Sequence, residues 1–175
     1  MTSCVVVPCF LFYAILSIYF IITGKYKDSE DRKKRYYILK GLVSANITLT
    51  MIIYTILELT NSVSAYDGHF IECLFVHYIT PIMIILDYFM FDKKGEFKWY
   101  YPIIWSCVPV AYGAFSFVYT ILGGTFVEGK YAYEFYNVER FGIGGVAINC
   151  IMIYVGFMAI NYLVVYYDKK VGEKK

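Results

Sequence analysis

"CLFVHYITPIMIILDYFMFD", residues 73–92, decides how this chain is read. Most of it is oily enough to sit in a lipid bilayer, yet it holds His77 and, ten residues on, Asp87. A span needs roughly 20 mostly apolar residues at about 1.5 Å each. The block containing this stretch, 70–91, meets that length, and so do 4–22, 41–59, 101–122 and 141–166. No stretch remains for a soluble domain. The composition agrees: 59% of the 175 residues are hydrophobic and 21% aromatic, against about half apolar in a soluble domain. The reading is an all-α, polytopic transmembrane helix bundle of five spans, one integral membrane domain over 1–175.

The basic residues set the orientation. The segment "GKYKDSEDRKKRYY" carries Lys25, Lys27, Arg32, Lys33, Lys34 and Arg35, and "ELTNSVSAYDGH" carries no Lys or Arg. Lys93, Lys94 and Lys98 follow the third block, only Lys130 and Arg140 the fourth, and Lys169, Lys170, Lys174 and Lys175 the fifth. This alternation places the N-terminus outside and the C-terminus in the cytoplasm of the cell membrane. Asp28, Glu30 and Asp31 interrupt the basic loop, which argues against a nucleic-acid patch. No Lys or Arg precedes the first block, so it lacks the pattern of a cleaved signal. The five cysteines are scattered and unclustered, which suits packing rather than a metal site. Tyr36–Tyr37, Trp99–Tyr100–Tyr101 and Tyr166–Tyr167 fall where amphipathic rings settle at headgroup level.

Polar side chains inside a span tend to face the bundle interior, so their spacing locates it. Cys73, His77, Thr80, Ile84, Asp87 and Tyr88 share one face of the third span. Asn46, Thr50 and Tyr54 repeat every four residues on the second, Tyr112, Ser116 and Tyr119 stripe the fourth, and Asn149 is the main polar residue in the outer half of the fifth. His77 lies roughly 10 Å below the outer end of its span, level with Tyr54, Ser116, Tyr119 and Asn149. The pattern predicts an outer-half pocket centred on His77 and lined by Thr50, Tyr54, Thr80, Ser116, Tyr119 and Asn149. Asp87 lies about 15 Å further along the same helix, too far to pair with His77. It is expected to reach water near the cytoplasmic end or pair with Lys93, Lys94 or Arg35. Pro81 and Pro109 should kink their helices. Gly142, Gly144 and Gly145 suggest a close helix contact or a loop-to-helix turn.

Several segments resemble the Pr-six-Pr membrane proteins, relatives of the androgen-inducible FAR/AIG-type proteins. "LKGLVSANITLTMIIY", residues 39–54, is similar to that family's Ile-Thr-x-Thr segment with its Val/Ile-Tyr pair. "HYITPIMIILDYFMFD", residues 77–92, resembles its H-x-x-x-P signature with the downstream acids. "GEFKWYYPIIW" and "KYAYEFYNVERFGIGGVAIN" resemble the two helix entries that follow. The resemblance aligns the first block here with the family's second span. It implies an intramembrane hydrolase of lipid esters, such as fatty acid esters of hydroxy fatty acids, working with a Thr, a His and no metal or cofactor. Carried over, His77 is the His and Thr2 of "MTSCVVV" falls on the Thr, with Val5 and Val6 where the family has Ser-Asn. A Thr hydroxyl needs an adjacent base, and an imidazole suits that role near neutral pH. Membrane lipids are then the partners and a lipid ester the substrate. The alternative is a non-enzymatic membrane protein, a small transporter or channel subunit or a structural component. A transporter predicts a polar path joining Asp87 to the His77 pocket.

Overall fold

The computed structural model describes residues 30–60, 70–126 and 129–174. Within them the chain is helical, with no strand; Phe126 and Gly129 form an isolated bridge. Helix α1 spans Glu30–Leu59, α2 Phe70–Leu74, α3 Thr80–Phe91, α4 Tyr101–Trp105, α5 Cys107–Ile121 and α6 Val138–Gly172. A π-helical turn, Phe75–Ile79, joins α2 to α3. Four rods result that are long and apolar enough to cross a membrane: Lys33–Leu59, Ile71–Phe91, Tyr101–Ile121 and Val138–Gly172. The expected block at 4–22 lies outside the described residues.

The blocks at 70–91 and 101–122 match their helices almost to the residue. The second does not. Expected over 41–59, it begins at Glu30 and takes in the charged run, because nothing in "EDRKKRYYILK" breaks a helix. Lys40 thereby stands within α1 rather than in a loop. The last helix likewise runs past 141–166 in both directions. Asn137 caps it by accepting from the Arg140 amide (3.1 Å), and Lys169 and Lys170 complement its C-terminal dipole. Gly142, at φ 66°, makes a sharp turn near its start, the loop-to-helix turn that the sequence allowed.

Hydroxyls along α1 are satisfied within the helix. Thr48, Thr50 and Thr55 donate to the carbonyls of Ser44, Asn46 and Met51 at 2.8–3.0 Å. Many large apolar residues, by contrast, point outward. Met83, Met90, Ile151 and Leu163 are each more than 60% exposed. Lys40, His77, Ser116, Asn161 and Asp168 are buried. A water-soluble fold sorts the other way.

The core gathers at the end where the lysines cluster. Tyr37, Tyr88, Phe97, Tyr101, Trp105, Phe157 and Val165 pack there as one cluster. The expected headgroup rings divide: Tyr37 and Tyr101 turn into this core, while Trp99, Tyr100, Tyr166 and Tyr167 stay exposed. The Trp105 indole lies on Gly41, where any Cβ would overlap the ring, and donates to the Ile38 carbonyl (3.1 Å). Asn46 closes the same crossing with a bond to the Trp105 carbonyl (3.2 Å). Helix α1 therefore touches α4 through its smallest residue and α3 through the Val43, Ile47 and Ile84 seam.

Candidate functional site

His77 sits in the π turn. The turn has a local cause: Pro81 has no amide to give the carbonyl four residues back, and its ring crowds that carbonyl. The Thr80 amide reaches the Phe75 carbonyl instead, one residue further than an α-helix would. Widening the helix turns the imidazole toward α1, where it is buried and lies flat on Tyr54, centroids 3.9 Å apart and planes 1° apart. Tyr54 also meets the ring of Tyr78 edge-on at 6.0 Å. The Tyr78 hydroxyl donates to Glu58 Oε2 at 2.5 Å, and Thr55 Oγ1 is 3.4 Å from that hydroxyl. The site is thus an aromatic and hydroxyl cluster built by one turn of α1 and the π turn.

Two apolar clefts flank α1. The first, about 610 Å³, opens between α1, α5 and α6 and the loop around Tyr133–Tyr136. Thr50, Tyr54, Tyr112, Tyr136 and Cys150 are among the polar residues that line it. Burial pushes the Tyr136 phenol up to about 12, so it stays a neutral donor. The second, about 600 Å³, lies between α1, α3 and α6, and at its lysine-rich end are Lys40 and Asp92. Leu49, Ile53, Ile153 and Phe157 line both and divide them.

The predicted site residues therefore separate. Thr50 and Tyr54 line the first cleft, and Tyr54 carries the contact to His77, which itself lines neither. Thr80 is half-buried beside the π turn. Ser116 is buried outside both clefts, with its carbonyl taken by Thr120 (2.9 Å). Tyr119 stacks on Phe115 and closes against Phe126 at the end of α5. Asn149 donates to the Phe135 carbonyl (3.3 Å), holding the Tyr133–Tyr136 loop. Thr2 lies outside the described residues. No family model, curated protein or solved structure matches this chain.

Asp87 has a partner that the sequence reading did not single out. Lys40 Nζ stands 2.6 Å from Asp87 Oδ2 and 2.6 Å from Asp92 Oδ1. Burial pushes the Asp92 carboxyl up, against the opposing pull of the Lys40 ammonium. Asp168 is the other acid that the sequence left unremarked. Its carboxylate accepts from the Tyr88 hydroxyl and from the amides of Gly95 and Phe97, all at 2.9 Å. Gly95, at φ 89°, bends the loop so that these amides converge. The Lys94 ammonium caps the carbonyl of Tyr88 at the end of α3.

Proposed function

We propose that this is a multi-pass integral membrane protein that admits a lipid chain from the bilayer into the cleft between α1, α5 and α6. The observation that carries the reading is the inverted burial, with charged and amide side chains inside and large apolar ones outside. The apolar lining and volume of the cleft suit a hydrocarbon chain entering sideways. The reading includes a fifth span at 4–22, an external N-terminus and a cytoplasmic C-terminus in the plasma membrane, supported by the alternation of basic loops. Alkaline extraction of membranes and labelling of single cysteines from either side test it. Release into the soluble fraction, or labelling of the segment after 122 from the cytoplasm, would overturn it.

A second reading makes the cleft the entrance to a hydrolase of lipid esters, in keeping with the resemblance to the Pr-six-Pr proteins. What favours it is Tyr54, which lines the cleft and stacks on the buried His77. In that reaction the Thr2 hydroxyl attacks the ester carbonyl carbon as His77 takes its proton. The imidazolium returns the proton to the departing alkoxide, and water then frees the acid from the acyl-threonine. The Tyr54 hydroxyl would hydrogen-bond the developing oxyanion. Purified wild type, His77→Ala and Thr2→Ala are compared on an ester of a hydroxy fatty acid. Turnover lost in both variants supports the reading; equal turnover in His77→Ala ends it. A transporter fares worse, since buried apolar Pro81 and Ile84 separate His77 from Asp87 on their shared face.

A further inference from the structure

The second cleft ends differently from the first. At its lysine-rich end stands Asp92, whose side chain is 7% exposed. Its Oδ1 is taken by Lys40, while its Oδ2 is buried and meets no donor within hydrogen-bond reach. Such an atom is costly to bury without a donor, more so when its group is charged. Lys40 divides itself between Asp87 and Asp92 Oδ1, and Lys94 bonds the Tyr88 carbonyl and lies over its ring. The remaining wall is apolar, formed by Ile84, Ile85, Met152, Ile160 and Leu163 among others. Such a cavity matches a hydrocarbon chain that ends in a hydrogen-bond donor.

We propose that the cleft between α1, α3 and α6 binds a single-chain amphiphile whose head, a primary alcohol or an ammonium, donates to Asp92 Oδ2 while its tail lies along α3 and α6. A fatty acid is disfavoured, because its carboxylate brings a negative charge and acceptor lone pairs against an acceptor. The site is separate from His77 and from the cleft of the proposed lipid-ester reaction, so it stands or falls independently of that reaction.

Trp105 lines this cleft, and the chain's other tryptophan, Trp99, is exposed against Tyr162. In a Trp99→Phe protein in nanodiscs, Trp105 fluorescence reports the occupant. Four brominated quenchers of equal chain length are added: 11-bromoundecanol, 11-bromoundecylamine, 11-bromoundecanoic acid and 1-bromoundecane. The alcohol or the amine is expected to half-quench at about a tenfold lower mole fraction than the acid and the alkane. Asp92→Asn keeps an acceptor oxygen but loses the charge. It should retain the preference for the alcohol and abolish that for the amine, which tells the two head groups apart. Asp92→Leu should erase both preferences. Equal quenching by all four chains, no quenching by any, or discrimination that survives Asp92→Leu would overturn the proposal. The first two outcomes need no substitution at Asp92, so a misfolded variant does not shelter it.

Discussion

At the lysine-rich end, one carboxylate takes three donors, one ammonium bridges two carboxylates, and an indole is seated on a glycine. At the far end, His77 rests on Tyr54 through a ring stack, and the helices part around a cleft of about 610 Å³. The first end joins elements distant in the chain by short polar contacts. The second joins neighbouring rods through faces that could separate at little cost. Stability and access are thus divided along the length of the same helices.

That comparison can be broken, beginning with its strongest contact. Asp168→Ala leaves two amides and a phenol without their acceptor and should destabilise by about 4 kcal/mol, read as a lower unfolding midpoint in mixed micelles. A loss under about 1 kcal/mol would mean that the loop holds itself. Lys40→Met comes next, at about 3 kcal/mol, because it strands Asp92 while Asp87 retains access to water. Adding Asp92→Leu to Lys40→Met should recover most of that loss, and a double variant no better than the single would place the defect elsewhere. Gly41→Ala should cost about 2 kcal/mol by forcing the Trp105 ring from its seat. Its blue-shifted Trp emission should move to the red, and unchanged emission would refute the crossing. At the far end, Tyr54→Leu should cost about 1 kcal/mol, since it removes a stack but no buried charge. If it matched Asp168→Ala, the division between the two ends would fail.

The rods themselves were legible, because apolar length is a local property that the residues carry on their faces. The separation of His77 from Asp87 was legible too, since helical rise fixes it. Lys40 was not. It falls just before the expected span at 41–59, and only the extension of α1 through a helix-tolerant charged run brings it opposite Asp87 and Asp92. Asp168 gave no local signal, for an acid near a helix C-terminus opposes the helix dipole and looks solvent-bound. Its partners lie more than 70 residues earlier. The even depth of Ser116, Tyr119 and Asn149 suggested one pocket, but depth does not fix azimuth. Ser116 is buried outside both clefts, Tyr119 stacks on Phe115 and Asn149 holds the Phe135 carbonyl. The π turn was foreshadowed by Pro81, although a kink was the expectation and a change of register is the result.

The distance in sequence between Gly95 and Asp168 also dictates an order of events. The loop after α3 is made early, but its acceptor is synthesised 73 residues later. Until the last turn of α6 emerges, the Gly95 and Phe97 amides lack this acceptor. Synthesis of α6 therefore acts as a latch: its final turn docks and fixes the register of rods already formed. A chain stopped short of Asp168 would form its earlier helices and still lack a settled bundle.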